Sequence, residues 1–362
     1  MRYIHKHEKW PNFTWDEKSL APALAALRLR QGRFLGRMEG LGLTARKRAE
    51  LESLTLEAMK TSEIEGEYLA EDKVRSSIAR RLGVEIAGLV PSDRRVDGVV
   101  DMTLDATRSW GEPLTAERLF RWHAGLFPGR QDLSVGAWRD DAKGPMQVVS
   151  GALGEPRVHY EAPAAARLAT EMERFLAWEN ASAPLDPVLK AGIAHLWFVL
   201  IHPFDDGNGR VARAIADRGL ARSEGSARRF YSMSAQIQSE RKEYYRVLEV
   251  TGKDGLDITD WLSWFAACLD HALTGAEVAV AAALRKEGFW KEHGGSALNA
   301  RQSMILNRLL DGFEGKLTTK KWAKLADCSH DTALRDIQDL IARGILVQDA
   351  AAGRSTSYSL KR

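Results

Sequence analysis

The sequence predicts a mostly α-helical protein with one β-hairpin and a C-terminal winged helix-turn-helix module. Three observations predict it. Apolar residues recur at helical spacing through most of the first 290 residues. One Gly- and Pro-rich stretch, "SVGAWRDDAKGPMQVVSGALGEPRVHYEAP", interrupts them with short β-prone runs. From residue 297 onward the order is helix, turn, longer helix, paired strands. The composition, 44% hydrophobic and 28% charged, is ordinary for a globular chain, and 362 residues allow two or three domains. A net charge of +3 does not by itself call for nucleic acid. Two cysteines, Cys268 and Cys328, give neither a disulfide framework nor a Cys-rich zinc site and suit a reducing compartment. No apolar leader and no uninterrupted apolar run of membrane-spanning length is read, so the expectation is a cytoplasmic protein without a membrane partner.

The elements follow in order. Residues 1–16 read as irregular, and "KSLAPALAALRLRQGRFLGRME" as an amphipathic helix stopped by Gly40 and Gly42. The next helix has Thr44 as its expected N-cap and ends at Gly66. Further helices are expected over 71–82, roughly 93–109, and "TAERLFRWHAGLF". The hairpin has its β-prone runs at Met146–Val149 and Arg157–Tyr160. Helices resume at Pro163 and continue to about residue 290, before the linker "HGGSALN". Eleven tryptophans, several at helical spacing, are expected to fill the core or an interface.

The joint "HPFDDGNGRVAR", residues 202–213, lies between two apolar helical stretches yet is polar. Two glycines would each cost about 1 kcal/mol in a helix, so the stretch is a loop. A polar loop between core helices is a candidate site. His202 can accept a proton near neutral pH. Asp205 and Asp206 suit a hard cation such as Mg2+. Gly207, Asn208 and Gly209 can turn backbone N–H groups towards one anion at a helix N-terminus. Arg210 and Arg213, three apart on one helical face, offer bidentate donors to phosphate. A base, a metal carboxylate, a phosphate cradle and two clamps are the parts for transfer from a Mg-nucleotide to a hydroxyl.

The stretch resembles the Fic motif, H-P-F-x-(D/E)-G-N-G-R-x-x-R, at every defined position. "KWPNFTWD", "VRSSIARRLG", "AWRDD", "MQVVSG" and "YSMSAQI" extend the resemblance over essentially the whole chain, to Fic proteins with an N-terminal extension and a winged helix. It implies an N-terminal helical region over 1–110, a Fic catalytic domain over 111–292 and the winged module over 297–362. It implies transfer of AMP from ATP, with Mg2+, to a Ser, Thr or Tyr hydroxyl of a protein. His202 would be the base, Asp206 the Mg2+ ligand, and Gly207, Asn208, Gly209 and Arg210 the phosphate cradle. Arg213 would hold the γ-phosphate, and Asp205 falls at a variable position.

"TSEIEGE" places Thr61 and Glu65 on one helical face before Gly66. It resembles the Fic inhibitory motif, (S/T)-x-x-x-E-(G/N). A Glu65 carboxylate on Arg213 would displace the γ-phosphate and spoil the alignment on which the transfer depends. In relatives the same glutamate can support removal of AMP. The hairpin matches the place of the Fic flap, where Met146, Gln147, Val148 and Val149 would take a target segment as an added strand. Tyr244 and Tyr245 match the place of base-contacting residues. Gln236 and Glu240 stand where a Tyr and an Asn are common, which leaves the base open.

In the C-terminal module Lys316, Lys320, Lys321, Lys324, Arg335, Arg343 and Arg354 are basic, with Asp336 and Asp339 on the same helix as Arg335. If the module binds DNA, His330, Asp331, Thr332 and Arg335 would face the groove; a protein-interaction or dimer role is the alternative. A homodimer and self-modification are further expectations. His5 and His7 lack a third metal ligand nearby in sequence, and His123 and His195 read as core histidines. Two other functions stay open: a de-AMPylase using Glu65, and a DNA-binding regulator whose Fic domain senses nucleotide.

Overall fold

Helix α7 (Pro187–Ile201) is apolar nearly all round, and such a helix has to be buried on every side. Asp186 caps it, accepting from Val188 N at 2.8 Å, and Pro187 occupies its first turn. It lies against α8 (Asn208–Glu224), and the six residues between them are the polar loop. The computed structural model describes residues 3–142, 144–150, 157–182, 184–253, 255–294, 298–350 and 356–361.

Around this pair stand α1 (Glu17–Glu39), α2 (Leu43–Ile64), α3 (Glu71–Leu82), α4 (Arg94–Arg108), α5 (Ala116–Leu126), α6 (Leu168–Asn180), α9 (Met233–Ser239) and α10 (Arg241–Thr251). The expected helices over 71–82 and 93–109 form, the second as α4. The α2 N-cap differs: the helix starts at Leu43, because the extended backbone ends at Gly42, so Thr44 is already inside it. Strands β1 (Gln147–Ser150) and β2 (Arg157–Glu161) pair antiparallel, with a register shift between Val148 and Val149. Met146 precedes β1, and its carbonyl accepts from Ala162 N at 2.9 Å. The expected hairpin tip, 151–156, lies outside the described residues.

The chain divides into two compact units, Met1–Ala276 and Glu277–Arg362. Residues 1–110, expected as a region of their own, share the first unit with the loop and hairpin. The division falls within α11 (Thr259–His293), earlier than the expected linker. By length and composition α11 could cross a membrane, a property that core helices share. Asp270 and Glu277 stand within its apolar run, and Trp261, Phe265, Cys268 and Leu269 are buried. Trp10, Trp122, Trp197 and Trp264 are also buried in this unit, as expected of a tryptophan-rich core.

The second unit contains α12 (Ala300–Leu310), α13 (Thr319–Leu325), α14 (His330–Ala342), β3 (Leu346–Gln348) and β4 (Tyr358–Leu360), the order of a winged helix. Its core holds Ile305, Leu306, Trp322, Ile337 and Leu346. Asp336 accepts from Arg301 and Asn299, and Asp339 from Arg343 and Gln302, so both acids on α14 are paired within the unit. Arg354, expected at the wing tip, lies outside the described residues.

One close approach sets the position of α5 beneath the loop. A Cβ on Gly98 of α4 would stand 1.8 Å from the Gly125 carbonyl oxygen of α5, a backbone atom that cannot rotate away. Gly98→Ala is therefore expected to destabilise the protein by about 1–3 kcal/mol or more. Gly111→Ala, where nothing lies within 4 Å, should be neutral; urea denaturation of the two variants checks the contrast.

Candidate active site

The loop is held from below by residues outside it. Phe204 is fully buried and stacks on the His123 ring, with centroids 4.1 Å apart and planes at 3°. His123 Nδ1 accepts from Gly136 N at 3.0 Å, so its proton sits on Nε2, which donates to the Asp206 carbonyl at 3.2 Å. Burial lowers the His123 pKa to about 4, which keeps that tautomer neutral. The buried Asn208 side chain bridges the loop, its Oδ1 accepting from Phe204 N at 2.9 Å and its Nδ2 donating to Phe204 O at 2.7 Å. Its amide is thus committed to the loop, and only its backbone can serve a cradle. Arg139 donates through Nε to the His202 carbonyl at 2.8 Å and through Nη2 to the Pro163 carbonyl at 2.6 Å. Asp205 accepts from Ser134 N at 2.8 Å, a structural use for the acid at the variable position.

His202 ends α7 in the left-handed conformation, φ 52°. Its Nδ1 lies 3.2 Å from the Val199 carbonyl, which can only accept. The ring proton therefore sits on Nδ1, and Nε2 keeps its lone pair. Burial lowers the His202 pKa to about 4; the Val199 bond opposes that and the Arg139 charge adds to it. Gly207 turns the chain into α8 with φ +79°, and a Cβ there would meet the Phe127 ring at 2.9 Å. Asp206 is half exposed, with its Oδ1 accepting from Gly207 N at 2.5 Å.

Arg213 and Arg210 are both buried. Arg213 donates through Nε to Thr61 Oγ1 at 2.8 Å, and through Nη2 to the Thr61 carbonyl at 2.7 Å and Glu65 Oε1 at 2.8 Å. Burial works against the charge, but Glu65 and the neighbouring tyrosines outweigh it and the Arg213 pKa rises. The Glu65 carboxylate lies directly over Gly209, where a Cβ would meet Oε1 at 2.2 Å. Gly66 follows with φ +79°. Arg210 donates through Nη1 to Glu67 Oε2 at 2.6 Å, a carboxylate shared with Arg95 at 3.0 Å. Arg213 Nη1 and Arg210 Nε are buried and have no hydrogen-bond partner among the described residues.

A cavity of about 660 Å³ brings Glu65, His202 and Gly209 together with Val148 and Val149 of the hairpin and Tyr244 and Tyr245 of α10. Val148 and Val149 are exposed on β1, which pairs only with β2 among the described residues. Gln147 instead donates to Glu161 at 3.1 Å, and neither it nor Met146 lines the cavity. Tyr244 is buried with its hydroxyl 2.9 Å from His195 Nε2, while Tyr245 is open to solvent and lies under Arg241. The structure therefore gathers His202, Gly209, Glu65 and both tyrosines at one cavity. Among the described residues no three His, Cys, Asp or Glu side chains cluster as a metal site. A single exposed carboxylate such as Asp206 fits Mg2+ only together with substrate phosphates and water, the usual arrangement for that ion.

Residues 113–220, which hold the loop, match the family described as Fic/DOC. This segment is a Fic/DOC domain. Residues 3–84 of the chain match a second family, a domain of unknown function, DUF4172. The protein adenylyltransferase Fic of Drosophila melanogaster is 34% identical over 113 residues, 31% of this chain and 21% of that protein. That of Drosophila virilis is 34% identical over 113 residues, 22% of its length. The chain thus spans about a fifth of the length of these curated relatives. A Fic family protein from Desulfovibrio desulfuricans G20 has the same fold, with TM-score 0.53 and 21% identity over 94% of this chain and 96% of that one. A Fic domain containing signaling protein from Bacteroides thetaiotaomicron VPI-5482 gives TM-score 0.53 and 20% identity over 71% of this chain and 96% of that one.

Sequence reasoning missed Glu67, Arg95, Phe127 and the loop contacts of His123 and Arg139. "AWRDD" was a visible signal for Arg139, but its partners, the His202 and Pro163 carbonyls, carry no signature. Thr61→Val would remove the acceptor of a buried Arg213 N–H. A loss of about 1–3 kcal/mol is expected in chemical denaturation.

Proposed function

We propose that this chain is a self-inhibited protein adenylyltransferase, which moves AMP from Mg-ATP to a hydroxyl of a protein. The observation that carries the reading is the arrangement at Gly209. There a bare His202 Nε2 and the Glu65 carboxylate share one cavity, and Glu65 pairs with Arg213, one of two buried arginines that each keep an N–H without a hydrogen-bond partner among the described residues. Spare donors on buried guanidinium groups call for an anion, and a triphosphate supplies one. His202 takes the hydroxyl proton on Nε2 as that oxygen attacks the α-phosphorus. The bond from the α-phosphorus to the bridging oxygen breaks, and pyrophosphate leaves. Arg210 and Arg213 hold the departing phosphates. Mg2+ held by Asp206 would neutralise charge that builds on those oxygens. The exposed edge of β1, with Val148 and Val149, offers the target segment a strand to pair with.

Glu65 occupies the Arg213 Nη2 donor, so a γ-phosphate cannot use it while that pair stands. The carboxylate also covers the face of Gly209. A triphosphate bound beside it is displaced, and displacement by about 1 Å can cost roughly a hundredfold in rate. One observation favours a second reading: Glu65 lines the cavity beside His202, where it could align water to remove AMP from a modified protein.

Wild type, Glu65→Gly and Glu65→Gly/His202→Ala, incubated with Mg2+ and α-labelled ATP, test the first reading. Protein-bound label should rise roughly a hundredfold in Glu65→Gly and vanish in the double variant. No gain in Glu65→Gly would sink the inhibition; release of AMP from a modified protein by wild type alone would favour the second reading.

The pH profile is a separate test. A base with its pKa lowered to about 4 is active above that value and lost as pH falls through it. Transfer by Glu65→Gly should therefore be flat between about pH 5 and pH 8 with no step near the ordinary imidazole pKa. A half-maximal rate at that ordinary value would count against His202 in this environment.

A further inference from the structure

The hairpin and α10 contribute a hydrogen-bonded chain to the cavity that the transfer step does not use. Glu249 of α10 lies 2.7 Å from His159 Nδ1 on β2 and accepts from Arg157 Nη2 at 2.9 Å; Lys253 also pairs with it. His159 Nε2 lies 2.5 Å from Ser150 Oγ at the end of β1. Ser150, His159 and Glu249 all line the cavity that contains His202 and Gly209.

The direction of the protons follows from the acidic end. Lys253, His159 and Arg157 hold the Glu249 carboxyl at about 2 against the opposing effect of burial, so it can only accept. His159 Nδ1 therefore donates to it. In the neutral ring Nε2 is then bare and takes the Ser150 hydroxyl proton. A free serine hydroxyl can donate or accept. This one has its single proton committed and offers the cavity only lone pairs.

We propose that Ser150, fixed as an acceptor by His159 and Glu249, selects a purine nucleotide with an amino group at the 6-position over its 6-keto counterparts. The inference rests on the nucleotide reading of this cavity. Adenine presents an N–H2 donor at the position where a 6-keto purine presents a carbonyl acceptor. The amine meets the Ser150 lone pairs as a partner; the carbonyl meets them as a repulsive neighbour with no proton between. The Tyr245 ring lines the same cavity and, 39% exposed, offers the base a flat surface to lie against. A site built to bond one polar group rejects the analogue lacking it more strongly than an apolar pocket could. Ser150 is the specificity residue, and His159 and Glu249 are positioning residues.

The test is binding of ATP and of inosine triphosphate, which differ at that position, to the full-length Glu65→Gly protein by titration calorimetry. KM and kcat for transfer are measured alongside. ATP is expected to bind about tenfold more tightly or better. Ser150→Ala and His159→Phe should each bring the ratio towards one, and Ser150→Thr should keep it. A purely structural role would weaken both nucleotides together and leave the ratio alone. Equal binding of the two by Glu65→Gly, or a ratio unmoved by Ser150→Ala, overturns the proposal. ATP binding and transfer with an indifferent ratio would remove this inference while leaving the transferase reading; binding of neither nucleotide would remove both.

Discussion

A guanidinium taken out of water has to find a partner, and the buried Arg213 organises the site around that need. Its partners come from one place, the last turn of α2 and the residue after it. That fixes the end of α2 over the first turn of α8. It also puts Glu65 above Gly209, where the absence of a side chain leaves room for a carboxylate. Leaving such a charge buried and alone would cost about 3–5 kcal/mol. The protein therefore always supplies something, and the occupant can be its own carboxylate or a phosphate of similar charge and donor demand.

The loop itself has little freedom. His123, Arg139 and Asn208 each bond to its backbone, and Phe204 anchors it in the core. None of these bonds uses the His202 ring or the two arginine side chains. The loop backbone is thus held by bonds that leave the His202 ring and the two arginine side chains to other partners, and Arg210 and Arg213 spend theirs on Glu67, Thr61 and Glu65. The glycine contact between α4 and α5 belongs to the same design, because α5 carries His123 and is followed directly by Phe127.

Legibility in the sequence followed how local each signal was. The helix over 71–82 and the apolar helical stretch that leads into His202 were readable because their apolar spacing and end signals lie within the segment. The polar loop was readable because its chemistry is contiguous. Thr61 and Glu65 were readable as a helical face, and only the resemblance said what that face meets. Glu67 and Arg95 stood outside every pattern, since a carboxylate three residues past a helix end says nothing about a guanidinium 143 positions away. Ser150, His159 and Glu249 come from two strands and a distant helix. Their order of protons depends on contacts that no spacing encodes. Thr44 shows the reverse error: a good capping residue was bypassed because the extended backbone ended earlier, at Gly42.

The two carboxylates that straddle Gly66 differ in what their removal would leave behind. Arg213 makes three bonds, two to Thr61 and one to Glu65. Taking away Glu65 leaves the guanidinium bonded to a hydroxyl and a backbone carbonyl, neither of which an anion has to displace. The charge loses its counterion but keeps most of its hydrogen bonds, so the end of α2 can stay in place while Nη2 becomes available. Arg210 has Glu67 on Nη1, and Asp206 lies 3.8 Å from its Nη2. Burial already lowers its pKa, and Glu67 and Asp206 only partly offset that. Its carboxylate partner is shared with the more exposed Arg95, which can retain Glu67 if a phosphate takes its place. Each arginine therefore has a second partner for the displaced acid or for itself, and anion exchange at this site does not require the fold around it to open.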